Sequence, residues 1–189
     1  MKKIILFAAF VVVAFATQAQ VKFGTKSGLN LSTWTGDVDD LKMKPGFYVG
    51  GLANISVANQ FSIQPEVLVS AEGAKDGDGS INTMFINIPV MAQYNTPSGF
   101  YVEAGPQLGF LLSAKAKEDG ESEDIKDFLN STNFGASFGA GYNMGSGLGF
   151  GARYNLGLSN ASKLFGDIKT SNISIGLHYN FGGAKSSKD

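Results

Sequence analysis

Residues 134–158 read FGASFGAGYNM, then GSG, then LGFGARYNLGL. In the first arm Phe134, Ala136, Phe138, Ala140, Tyr142 and Met144 alternate with Gly135, Ser137, Gly139, Gly141 and Asn143. The second arm repeats the pattern, setting Leu148, Phe150, Ala152, Tyr154, Leu156 and Leu158 against Gly149, Gly151, Arg153, Asn155 and Gly157. Period two marks a strand whose two faces meet different surroundings, and Gly145-Ser-Gly147 supplies a tight turn between the arms. One face carries glycine, serine, asparagine and an arginine, a set that cannot form a hydrophobic core. The oily side of this hairpin therefore points away from its partner face, as it would toward lipid.

The same alternation extends outward in both directions. Eight strands are predicted, over residues 21–31, 46–57, 60–70, 83–94, 99–113, 132–144, 148–159 and 171–181. Most are longer than the five or six residues of an average soluble strand and suit a tilted bilayer crossing. The connections alternate strictly in size. Segments 58–59, 95–98 and 145–147 are tight turns, and 32–45, 71–82, 114–131 and 160–170 are long and polar. Antiparallel crossings place successive connections on opposite sides, so all long loops share one side, the asymmetry of outer-membrane barrels. The fold class expected is an all-β, eight-stranded antiparallel transmembrane β-barrel over residues 20–181. Closure would satisfy the backbone groups that an open edge leaves bare in hydrocarbon.

Charged residues inside the strands fall on the polar parity. Lys26, Glu66, Glu103 and Arg153 each lie four to six residues from the short-turn end of their strands. These heights predict a structural lumenal network of two cations and two anions, with Gln64, Gln107, Asn155 and His178 filling the remaining hydrogen bonds. On the lipid face each cation would cost about 2–4 kcal/mol at mid-depth. Eight strands enclose little more than their own side chains, so the network would plug the lumen. Pro65, Pro89 and Pro106 lack an N–H and are expected to mark bulges or bends. Phe23, Phe47, Tyr94, Phe100, Tyr142, Tyr179 and Phe181 collect toward strand ends, where interfacial aromatic girdles would place them.

The N-terminus reads as an export signal. Lys2 and Lys3 precede an apolar run over residues 4–16, and Thr17 and Ala19 stand three and one positions before Gln20. The run is shorter than the roughly twenty residues of a helical span, so residues 1–19 are taken as a signal peptide and residues 182–189 as a flexible tail. The whole chain has 15 Lys+Arg against 16 Asp+Glu, and losing Lys2 and Lys3 leaves it mildly acidic. There is no basic stripe for nucleic acid. With no cysteine there is also no thiol chemistry or thiolate metal site.

Several strand motifs carry a resemblance in chain order. They are Lys22-Phe-Gly-Thr-Lys-Ser-Gly-Leu-Asn30, Gly46-Phe-Tyr-Val-Gly50, Gln64-Pro-Glu-Val-Leu68, Ile88-Pro89, Gly99-Phe-Tyr-Val-Glu-Ala-Gly-Pro-Gln107 and Ala152-Arg-Tyr-Asn-Leu-Gly157. Together they resemble the PorT-like outer-membrane β-barrel domain family of Bacteroidetes. The resemblance implies a small barrel located in the cell outer membrane and usually without assigned activity. It carries no catalytic residues and no secretion role to this chain.

No cofactor or metal is expected, and no catalytic residue. The single histidine, His178, lies near the short-turn end of the last strand. Ser174 is four residues away, roughly 13 Å along an extended strand, too far for a nucleophile and its base. Residues 75–80 are too short for a calcium loop, and the acidic run from Glu118 to Asp127 reads as a solvated face or a divalent-cation contact. Within that run residues 124–130 are predicted as a short helix, with Ile125, Phe128 and Leu129 joining Trp34 to cap the mouth or meet a partner. The function expected is a structural or surface-interaction role with a plugged lumen. Its partners would be outer-membrane lipids and lipopolysaccharide, and an extracellular or envelope protein. Two alternatives stay open: a soluble periplasmic or secreted β-barrel binding a small hydrophobic ligand, and an outer-membrane lipid-modifying enzyme.

Overall fold

The computed structural model describes residues 21–37, 41–77, 79–118, 121–163 and 166–181. The signal peptide and the C-terminal tail expected from sequence lie outside these residues. The described chain is all-β, a barrel-like sheet of nine strands. These are β1 (Val21–Gly36), β2 (Lys42–Ala58), β3 (Phe61–Asp76), β4 (Gly79–Asn95), β5 (Phe100–Glu118), β6 (Glu121–Asp124), β7 (Thr132–Asn143), β8 (Leu148–Gly157) and β9 (Ile168–Asn180). Every pairing is antiparallel, in the order β4-β3-β2-β1-β9-β8-β7-β5-β6, and β4 pairs with β5 as well. Each of the eight long strands therefore has a partner on both edges, which is what an apolar environment demands of backbone N–H and C=O groups.

The ninth strand, β6, was not foreseen. It continues the β5 ladder beyond the sheet, with Lys115 opposite Asp124 and Glu118 opposite Glu121. The helix expected over 124–130 shrinks to one 3-10 turn at Lys126–Phe128. The Asp124 side chain accepts the Lys126 N–H at 2.9 Å, and the Ile125 N–H reaches Ala114 O at 3.0 Å. A single turn is enough to tuck Ile125 and Leu129 inward, so a longer helix has no further apolar surface to bury. Strands β1 to β5 also run several residues farther into the long connections than hydropathy suggests. Polar residues beyond the apolar band still pair, as Lys75 does with Ser80, so the ladder outlasts the alternation.

Pro65, Pro89 and Pro106 sit in register, opposite Val90, Gln107 and Ala136 respectively. Of the two expectations there, bulge or bend, the bulge is wrong. A missing N–H removes one ladder bond, whereas a register shift needs an extra residue. The shifts fall instead between Met43 and Tyr48, between Ser56 and Ala58, and between Met84 and Phe85. Gly99 (φ 98°) and Gly147 (φ 90°) take left-handed turn conformations in the short connections, where a side chain would be strained. Gly176 has a different reason. A Cβ there would collide with the Tyr48 hydroxyl, so this glycine makes room for an inward tyrosine.

Polarity is inverted relative to a soluble core. Leu29 is 71% exposed and Ile175 66%, and Phe134, Phe138 and Phe150 also face outward. Glu66 is 1% exposed and Arg153 6%. All seven aromatics expected at strand ends are exposed, with Phe61 against Tyr94 and Tyr179 against Phe181 at ring-centroid separations of 5.1 and 5.7 Å.

Candidate functional site

Inward positions follow from strand parity, and the ladders set their heights. Glu66 on β3 and Arg153 on β8 are separated by three strands in the order β3-β2-β1-β9-β8, so contact between them must cross the interior. They meet in bidentate geometry. Arg153 Nη1 donates to Glu66 Oε2 at 2.9 Å and Nη2 to Glu66 Oε1 at 2.8 Å. The same guanidinium donates through Nε to Glu103 Oε1 at 2.8 Å. Lys26 Nζ donates to Glu66 Oε1 at 3.2 Å. The structure thus brings Lys26, Glu66, Glu103 and Arg153 together as one buried cluster of balanced formal charge. The planar fork of arginine suits this, since it presents several donors in a fixed plane to two carboxylates.

The neutral neighbours differ in part from the expected set. Gln64 Nε2 donates to Glu66 Oε1 at 2.8 Å. Gln107 and Asn155 do not reach the charges; they flank Ser137, whose Oγ lies 3.3 Å from Gln107 Oε1 and 2.7 Å from Asn155 Oδ1. The residue missed was Gln93, whose Nε2 donates to Glu103 Oε2 at 2.9 Å. Its position was recoverable by counting, because the hairpin at residues 95–100 places Gln93 opposite Glu103. Below the charges Gln93 Oε1 also accepts from Asn54 and Ser62 at 2.8 and 3.2 Å.

His178 lies outside the charged cluster too. Its Nε2 pairs with Asn143 Oδ1 at 2.7 Å and its ring meets Tyr101 edge-on at 6.0 Å. Ser174 Oγ donates to Arg153 O at 3.3 Å. Neither residue has the other as a partner, so the imidazole does not activate the Ser174 hydroxyl. Among the described residues no group of three or more His, Cys, Asp or Glu is placed to hold a metal.

At the long-loop end the interior turns apolar. Trp34, Ala74, Phe85, Leu111, Ala114, Leu129 and Ile168 form a buried cluster, with Leu41, Ile81 and Ile125 packed against it. Trp34, Ile125 and Leu129 therefore act within the molecule, while Phe128 stays outside at 44% exposure. Leu129 is pinned by a bridge to Ser162, and Lys163 N–H donates to Phe128 O at 3.0 Å. Trp34→Ala removes the largest side chain of this cap. Faster trypsin cleavage at Lys126 and Lys163 is expected, with membrane insertion retained; unchanged cleavage would show that Trp34 does not hold the loops.

Residues 16–163 match the family model described as outer membrane protein beta-barrel domain. Comparison with curated protein sequences gives no match. Among solved structures the chain is similar to Neisserial surface protein A, at 14% identity and a TM-score of 0.59, covering 86% of this chain and 99% of that one. It is also similar to Ail, the attachment invasion locus protein of Yersinia pestis, whose structure was solved in complex with the heparin analogue sucrose octasulfate. There the identity is 16% and the TM-score 0.50, over 86% of this chain and 99% of the other. At these identities the structural likenesses speak to the fold.

Proposed function

Because the chain belongs to the outer membrane protein beta-barrel domain family and resides in the outer membrane, we propose that it is a non-enzymatic, closed eight-stranded barrel with a plugged lumen. Its role would be structural or surface-interactive. The observation that carries this reading is the inverted polarity: aromatic and aliphatic side chains are exposed around the strands while Lys26, Glu66, Glu103 and Arg153 are buried. The β4–β5 pairing supports closure, with β6 an appendage of β5. A soluble barrel for a hydrophobic ligand needs the opposite polarity. The lipid-modifying alternative would need a base at a nucleophile, and His178 and Ser174 do not meet.

Export would depend on a signal peptide in residues 1–19. Within the family, the ordered strand motifs favour the PorT-like branch of Bacteroidetes. The cross-lumen Arg153–Glu66 pair and the Trp34 cap support obstruction at two heights. Planar-bilayer recordings of the purified protein are expected to show no stable open level. A reproducible large conductance would overturn the plug.

Lipopolysaccharide is the surface partner with a specific observation behind it. Lys42 lies opposite Lys75, Lys75 opposite Ser80, and Ser80 opposite Lys117, so three exposed lysines line up across β2 to β5 beyond the apolar band. Like charges aligned this way repel, and phosphate groups at the outer-leaflet surface would neutralise them. Added lipopolysaccharide is expected to raise the melting temperature of the detergent-solubilised protein. Replacing Lys42, Lys75 and Lys117 together by Gln should remove that rise; a rise of equal size in the triple variant would exclude the row as the contact.

A further inference from the structure

Between the charged cluster and the apolar cap the interior stays polar. Glu72 on β3 is buried there, 8% exposed; its Oε1 accepts from Asn87 Nδ2 at 2.8 Å, and the Ser70 and Asn172 side chains also hydrogen-bond its carboxyl. Among the described residues no cation forms an ion pair with it. Lys26 and Arg153 are both held by Glu66, and Arg153 also by Glu103. Those four charges balance, so an ionised Glu72 has no counter-charge among the described residues, and burying a carboxylate without one is costly.

The space around it is of the right kind for such a partner. Two cavities of about 20 Å³ each share Glu72, Asn87, Gln107, Asn155 and Asn172 in their walls. Each is close to the volume that one water-sized species needs. Asn30 and Asn172, 2% and 6% exposed, also line the first cavity. Asn30 Nδ2 donates to Ser70 Oγ at 3.0 Å, but the Oδ1 atoms of Asn30 and Asn172 accept no hydrogen bond although both are buried. Glu72 and the two asparagines whose Oδ1 atoms lack a donor thus line the first cavity, which carries a net formal charge of minus one beyond the balanced cluster when Glu72 is ionised. Hard cations take such oxygens. A divalent ion would leave excess positive charge beside Lys26 and Arg153, whereas a monovalent ion restores neutrality.

We infer that the lumenal chamber at Glu72 binds a monovalent alkali cation, sodium or potassium, with Glu72 as its charged ligand and the amide oxygens of Asn30 and Asn172 as neutral ones. The ion is a structural counter-charge that lets a carboxylate remain inside a closed wall. The test is thermal unfolding of the full mature chain, refolded into detergent micelles in sodium, potassium or choline chloride at equal ionic strength. Melting in sodium or potassium is expected at least ~2–4 °C above choline, and Glu72→Gln should erase the difference. Equal melting of the wild type in choline, or a difference that survives in Glu72→Gln, would overturn the inference. Wild-type crystals grown in rubidium chloride give a readout independent of any variant. An anomalous peak beside the Glu72 carboxylate is expected, and none would likewise overturn it.

Discussion

Arg153→Met is expected to lower stability by about 3–5 kcal/mol, the cost of removing one partner from a buried ion network. Arg153 donates to both Glu66 and Glu103. Without it, among the described residues, Glu66 keeps Lys26 and Gln64, and Glu103 keeps only Gln93. Two buried carboxylates would then be left with one ammonium, on Glu66. The loss is mechanical as well, since the guanidinium ties opposite walls of the sheet. The check is the urea midpoint followed by the heat-modifiable band on a gel in detergent. A companion variant separates charge from shape: adding Glu66→Gln and Glu103→Gln to Arg153→Met removes the stranded anions and should recover much of the loss. If Arg153→Met alone leaves the midpoint unchanged, the cluster does not hold the lumen together.

Ile175→Arg carries the second large effect, about 2–4 kcal/mol against folding in a bilayer. Ile175 lies in mid-strand opposite Leu29 on β1 and Ala152 on β8, part of an outward apolar row. On a soluble protein a side chain 66% exposed could become arginine at a cost within about 0.5 kcal/mol. The two environments thus give clearly separated answers at one position. Folding yield and urea stability in lipid vesicles provide the measurement. A near-neutral result would place Ile175 in water.

The same periodicity that makes these positions informative made most of the barrel legible. Residues 134–158 identify a hairpin, its turn and its inverted polarity, because strand parity fixes which side chains share a face. Lys26, Glu66, Glu103 and Arg153 could be grouped because alternating turns set their heights. What parity cannot supply is reach. Gln107 and Asn155 share the inward face with Arg153, yet they settle on Ser137, while Gln93, one hairpin register away, takes the free oxygen of Glu103. The mouth was harder for another reason. Beyond the apolar band, lysines and acids face water on either parity, so the pattern that marks a strand disappears although its backbone ladder continues. The strand β6 and the short turn after it lie in that silent region. Glu72 stands in a segment that reads as loop, so parity gives it no face.

Because the chain contains no cysteine, single cysteines can be placed one at a time along residues 171–179 and spin-labelled in lipid vesicles. Power saturation with oxygen and with a water-soluble nickel complex then reports each position's surroundings. With Gly176 left out because it has no room for a Cβ, labels at 173, 175 and 177 should collide mainly with oxygen, and labels at 172, 174 and 178 should be shielded from it, a strict alternation along β9. Nickel access at 173, 175 and 177 would put the oily face in water and contradict the account.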